Sequence, residues 1–168
     1  MEKVSSEYYC IRKARKNEWE EAMNLAWDTF LTFQTREYGK EGRESFYKFI
    51  SDKELKRFFL RDIYQLFVAL ENNRIVGIIT LRNKSHISLL FVGKEHQRNG
   101  VGSALVEYLS DYVLYENKTD YVTVDAAPSA IPFYHKIGFW DLAPIQTKSG
   151  ISSMAMKKNL RCNYSVPS

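Results

Sequence analysis

Residues 89–109 read LLFVGKEHQRNGVGSALVEYL. An apolar, strand-like run from Leu89 to Val92 enters a polar loop, and Gly100 and Gly102 stand where an amphipathic pattern begins. Beyond them Val101, Ala104, Leu105, Tyr108, Leu109, Tyr112 and Val113 recur at helical spacing, which predicts a helix from Gly100 to about residue 116. The first N–H groups of such a helix have no intrahelical acceptor and carry the positive end of its dipole. Glycine there lets a phosphate approach the backbone closely, and Arg98 adds charge at the rim. The segment therefore predicts a pyrophosphate cradle, although a glycine at a helix start also serves as a plain cap or turn. Two other phosphate motifs are excluded. Leu105 stands where G-x-G-x-x-G needs its third glycine, and no Gly-Lys-Ser/Thr follows as in a P-loop.

Working outward, residues 65–71 (QLFVALE) and 74–82 (RIVGIITLR) flank Asn72-Asn73, a pair that tolerates the positive φ of a tight hairpin. Residues 86–92 (HISLLFV) follow Asn83-Lys84-Ser85, so three strands form an antiparallel meander. Upstream, residues 8–12 read as the first strand. A helix begins at Asn17 with Glu20 at capping-box spacing and an apolar stripe from Trp19 to Leu31. Gly39 and Gly42 predict a loop, and a second helical region carries Phe46, Phe49 and Ile50, then Leu55, Phe58 and Phe59, with Ser51 and Glu54 as a restart. Downstream, residues 121–125 form a strand. A short helix with Ala130, Phe133, Tyr134 and Ile137 ends at Gly138, and residues 151–156 form a last strand. No repeat or linker interrupts the chain. The expectation is one α/β domain over residues 1–160, with residues 161–168 as a tail.

Composition narrows the function. With 45% hydrophobic and 26% charged residues in 168, the chain has the balance of a globular protein. No run approaches the ~20 apolar residues of a membrane span, and the first residues lack the apolar region of a signal peptide. No membrane partner and a cytoplasmic location are expected. Cys10 and Cys162 have no neighbours at metal-ligand spacing, so both are expected to be reduced thiols and no metal site is expected. The net charge of +4 is scattered rather than clustered, which argues against nucleic acid as a partner.

Gln97-Arg98-Asn99-Gly100-Val101-Gly102 resembles the Q/R-x-x-G-x-G/A signature of the GNAT superfamily of N-acetyltransferases. Residues 125–139, DAAPSAIPFYHKIGF, resemble the family's second hallmark, a strand followed by A-x-x-F-Y-x-K-x-G-F. The two occur in the family's order, and the resemblance covers nearly the whole chain. It implies the GNAT fold, a mixed and mostly antiparallel sheet flanked by helices in the order β-α-α-β-β-β-α-β-α-β-β. It also implies that the strands on either side of the phosphate-loop helix splay, with acetyl-CoA in the gap. Main-chain groups of Leu90, Phe91 and Val92 would then meet the pantetheine and the acetyl carbonyl. Gln97, Arg98, Asn99, Gly100, Val101, Gly102 and Ser103 would hold the pyrophosphate. As side chains, Phe91 and Val92 read as core.

The same resemblance implies direct transfer of acetyl to a primary amine in a ternary complex, with a homodimer common among relatives. Tyr134 fills the position of the general acid, since a phenol is protonated at neutral pH and can donate to the leaving sulfur. Read without the motif, it is a packed helix-face aromatic. His86 stands where some members carry a basic glutamate, a departure that leaves Asp125 or a water chain as alternative bases. His135 is expected to face away. The region between Phe30 and Phe59 should shape the acceptor site, where Asp28, Glu37, Glu41 and Glu44 could attract a cationic amine, although solvated helix faces carry the same residues. A small-molecule amine is the expected acceptor; a protein N-terminus or lysine, or a non-catalytic CoA sensor, are the alternatives.

Overall fold

The computed structural model describes residues 3–6 and 9–161. Tyr8, where the first strand was expected to begin, and Cys162 and the tail after it lie outside the described residues. Strands β1 (Lys3–Ser6) and β2 (Tyr9–Lys13) precede helices α1 (Trp19–Phe33), α2 (Thr35–Ile50) and α3 (Lys53–Leu60). The meander follows as β3 (Gln65–Glu71), β4 (Arg74–Arg82) and β5 (His86–Val92). Then come α4 (Val101–Tyr115), β6 (Tyr121–Ala126), α5 (Ile131–Lys136), β7 (Trp140–Asp141), β8 (Gln146–Lys148) and β9 (Ile151–Asn159). The sheet runs β1-β2-β3-β4-β5-β6-β9-β7, with β8 on β9. All pairings are antiparallel except β5 with β6.

The meander forms as its turns dictate. Asn72 and Asn73 have φ of 50° and 63°, and Asn83 and Lys84 have φ of 51° and 69°, the paired positive values of a two-residue hairpin turn. Three local expectations are corrected. The helix expected from Asn17 starts with a 3-10 turn at Lys16–Glu18, and the Glu18 carboxylate, paired with Arg12, accepts from the Arg15 N–H at 2.6 Å. The loop expected around Gly39 and Gly42 is helical on both sides of a break at Gly39 alone. The restart is capped by Asp52, which accepts from the Glu54 N–H at 2.8 Å, whereas the Ser51 hydroxyl donates back to the Tyr47 carbonyl. Such a cap is worth about 1 kcal/mol.

Strand β3 is buried on both faces, which explains its continuous apolar sequence. Phe67 and Ala69 join Ile79, Leu81, Val101, Leu105, Leu109, Val124, Tyr134 and Met156 under α4 and α5. Leu66 and Val68 join Trp19, Met23, Phe30, Phe46, Phe59, Leu89 and Phe91 under α1, α2 and α3. The sheet thus separates two cores, each packed by helices. No helix of the described residues is long and apolar enough to cross a membrane.

Candidate active site

The site begins where the sheet fails to close. β5 and β6 pair only through His86 with Thr123 and Ile87 with Val124. Immediately beyond, β5 carries an extra residue against β4, because Thr80 opposes Leu89 while Leu81 opposes Ile87. An inserted residue bends and twists a strand, so Ser88 turns β5 away from β6. A buried network holds the bulge: the Tyr64 hydroxyl lies 2.7 Å from Thr80 Oγ1 and 2.9 Å from Ser88 Oγ, and Thr80 Oγ1 accepts from the Leu89 N–H at 2.9 Å. Burial pushes the Tyr64 phenol up to about 12 against those bonds, so it remains a donor. From Ser88 onward the edge of β5 facing β6 has no partner strand, and its main-chain groups are open to a ligand.

A cavity of about 430 Å³ occupies the gap. His86, Leu90, Phe91 and Tyr134 all lie on its wall. Tyr134 is 3% exposed and held edge-on between Phe133 and Phe139, with ring centroids at 5.1 Å on each side. Burial alone raises its phenol well above the usual range, and no hydrogen bond from a described residue opposes this. It is a protonated donor at the cavity wall. His86 Nδ1 lies 2.7 Å from Thr123 Oγ1, and its Nε2 lies 3.4 Å from Asp125 Oδ2. The His86 hydrogen bond, with burial opposing it and the charges of His86, Arg82 and Lys148 adding to it, holds the Asp125 carboxyl below its usual range. Arg82 approaches the same carboxylate at 3.9 Å. His135 is exposed and bonded to Asp141 at 2.6 Å, away from this cluster.

The phosphate-loop residues stand at the far end of β5, on the same side of the sheet as Tyr134. Gly100 caps α4 with φ of 78°, a left-handed conformation that glycine alone adopts freely. Arg98 holds φ of 66° without that freedom, a local strain of a kind concentrated at functional sites. Ala104 donates the first helical hydrogen bond to Gly100, and no side chain caps the end, so the N–H groups of Val101, Gly102 and Ser103 stay open. A Cβ on Gly102 would meet Phe133 at 3.4 Å and Val92 at 3.8 Å, ordinary contacts, so protein packing does not require glycine there. Gln97 Nε2 donates to the Val92 carbonyl at 3.0 Å and closes the loop onto β5. From β2, the Tyr9 hydroxyl accepts from Asn99 at 3.3 Å and lies 3.1 Å from His96 Nδ1, whose Nε2 is 3.5 Å from Glu71.

On the opposite face lies the region between Phe30 and Phe59 that the resemblance pointed to without naming its wall residues. Phe30 from α1, Gln34 between the helices, and Tyr38, Ser45, Phe46 and Phe49 from α2 complete the cavity wall. The chain closes this side where α2 meets the β8–β9 turn: a Cβ on Gly42 would come within 2.6 Å of the Gly150 carbonyl oxygen. The acidic residues that could have attracted an amine stand instead where the alternative reading, helix faces away from the site, puts them. Asp28, Glu37, Glu41 and Glu44 are outside the cavity wall, and Glu37 accepts instead from the Ser129 N–H and hydroxyl, both at 3.0 Å. Within that region only helical periodicity marked the individual aromatic residues, and that pattern equally describes a core.

Residues 34–160 match a family model described as the acetyltransferase (GNAT) domain. Over 75 residues the chain is 39% identical to an uncharacterized N-acetyltransferase, YafP, of Escherichia coli strain K12; the match spans 45% of this chain and 45% of that relative. A GCN5-related N-acetyltransferase from Rhodopseudomonas palustris shares the fold at a TM-score of 0.80 with 19% identity, over 94% of this chain and 99% of that one. So does the PaiA N-acetyltransferase of Thermoplasma acidophilum, solved in complex with coenzyme A, at 0.75 and 17%, over 90% and 98%.

Proposed function

The chain belongs to the GNAT acetyltransferase family, and on that premise we propose that it is an acetyl-CoA-dependent N-acetyltransferase that acts on a small primary amine by direct transfer. One observation carries the reading: the cavity at the β5–β6 splay has a protonated tyrosine on its wall and opens along an unpaired strand edge that leads to an uncapped helix start. The N–H groups of Val101, Gly102 and Ser103, with Arg98 at the rim and Gln97, Asn99 and Gly100 shaping the turn, are suited to a pyrophosphate. The edge formed by Leu90, Phe91 and Val92 suits an extended amide-bearing arm such as pantetheine, and a main-chain N–H near Phe91 suits the thioester oxygen.

The chemistry follows from proton positions. The amine nitrogen forms a C–N bond to the thioester carbon as the C–S bond breaks, and the sulfur leaves with the electron pair. Tyr134 donates its proton to that sulfur. The amine gives up a proton to His86 in the tautomer whose Nδ1–H donates to Thr123. Nε2 then receives the proton and the imidazolium faces Asp125. Asp125 is a positioning and charge-stabilising partner here, because a carboxyl held low is a weak base.

Acetyl-CoA at millimolar concentration is expected to raise the melting temperature by mass action on the folded state, and a panel of primary amines should include at least one that releases CoA thiol from it. Absence of both the thermal shift and thiol release would leave only the fold.

A further inference from the structure

Resting on the acetyltransferase reading, we propose that the acceptor is a monoamine carried on a flat apolar body, with an arylalkylamine as its model, and that polycationic amines are excluded. The cavity passes through the sheet, so its two ends differ in character. Ala126 and Tyr134 belong to the α4–α5 core, whereas Phe30, Tyr38, Phe46 and Phe91 belong to the α1–α3 core. The phosphate loop fixes the first end for the cosubstrate, which leaves the aromatic end for the acceptor.

That end is a preformed wall of stacked rings. The Phe30 and Phe46 rings lie 4.3 Å apart at 14°, and Phe30 and Tyr38 lie 5.6 Å apart at 1°, so the three planes are nearly parallel. Phe91 tilts against Phe46 at 5.5 Å, and each of these four rings is less than a tenth exposed. Packing holds them, so a planar guest buries apolar area without first ordering the wall. Stacked rings also have their faces engaged with one another. They offer a guest mainly their edges, the positive part of the ring quadrupole, which favours another aromatic ring over a cation.

Charge makes the same selection. The charged or titratable side chains on the wall, phenols apart, are Arg82, His86 and Asp125. One carboxylate matches one positive charge, and during transfer the His86 imidazolium takes that place. A second positive charge would meet Arg82, 3.9 Å from that carboxylate, or would be buried without a partner among phenylalanines. The acidic residues of α1 and α2 that might have received it lie off the wall.

The test uses the purified chain with acetyl-CoA, following CoA release with 2-phenylethylamine and with spermidine. Expected is a kcat/KM for 2-phenylethylamine at least about tenfold higher, the scale on which pocket fit and an unmatched charge discriminate substrates. Equal or better use of spermidine overturns the proposal. So does bound acetyl-CoA, seen as a thermal shift, with no turnover of 2-phenylethylamine, and in that case the CoA reading survives. No thermal shift with acetyl-CoA sinks the parent reading instead. Phe49 is half-buried, so Phe49→Ala should fold and raise KM for 2-phenylethylamine about tenfold, the worth of one apolar wall contact, with KM for acetyl-CoA unchanged. Ser45→Asp adds a second carboxylate to the wall and should raise kcat/KM for spermidine by about tenfold. An unmoved amine KM in the first variant, or no gain for spermidine in the second, overturns the aromatic-wall or the charge rule respectively.

Discussion

The two faces of the sheet meet at one cavity but build their halves of it from different material. On the α4–α5 face the proposed binding groups are main-chain N–H groups at the start of α4 and an open edge of β5. On the α1–α3 face they are aromatic side chains drawn from two helices and a strand. A main-chain site depends on what is missing, namely a side chain at Gly102 and a cap on the helix. A side-chain site depends on what is present. The first is set by the fold and suits a constant cosubstrate, whereas the second can be rebuilt residue by residue and suits a variable acceptor. Tyr134 and the His86–Asp125 pair stand at the junction.

The comparison breaks most visibly at Gly102. Replacing Gly102 by Glu should lower affinity for CoA by more than about 100-fold, because a carboxylate then occupies and repels the phosphate position. The fold should survive. The new Cβ makes only ordinary contacts with Phe133 and Val92, and an acidic side chain in the first helical turn is favoured by the dipole. Calorimetry with CoA and a ligand-free melting curve separate the two effects. Wild-type CoA affinity in a folded variant would move the phosphate site elsewhere.

At the junction, Tyr134→Phe should lower kcat by about 100-fold, the scale of general acid catalysis, with KM for acetyl-CoA little changed. Its hydroxyl has no hydrogen-bond partner among the described residues, and its ring contacts with Phe133 and Phe139 remain. The melting temperature should therefore hold or rise slightly. A lower melting temperature with near wild-type kcat on an accepted amine would reduce Tyr134 to core packing.

The same division explains what could be read from the chain in advance. Gly100 and Gly102 sit within a few residues of the strand and helix they join, so periodicity and glycine placement locate the junction directly. The hairpin at Asn72-Asn73 was legible for the same reason: turn chemistry is local. The splay was expected only through the family resemblance, because its cause is tertiary. The bulge at Ser88 depends on Tyr64 and Thr80, and nothing in HISLLFV marks which residue is extra. The aromatic wall was hidden among core-like helix positions, because a ring that lines a cavity and a ring that fills a core have the same spacing. The partners of the acidic residues were hidden for the converse reason. Glu37 is satisfied by Ser129, 92 positions away, which no local pattern reveals.

The smallest effect, and the finest test of the division, is expected from Asp125→Asn. Its carboxyl lies below the usual range chiefly because His86 hydrogen-bonds it. A carboxyl with a lowered folded value adds stability that is fully present above its unfolded value, near ~3.9, and is lost as pH falls through the folded value. The side chain is 49% exposed, so solvent screening keeps this contribution below about 1 kcal/mol. Asp125→Asn should therefore melt no more than about 2–4 °C below wild type at pH 7, with the gap closing as pH is lowered to about 3. The substitution also removes the charge that faces the His86 imidazolium, so kcat/KM for the amine should fall about tenfold at neutral pH. Affinity for acetyl-CoA should not move, because the groups proposed to hold it are main-chain donors on the other face. A melting gap that persists unchanged at low pH, or a parallel loss of acetyl-CoA affinity, would show that Asp125 acts on the scaffold common to both halves and not on the acceptor side alone.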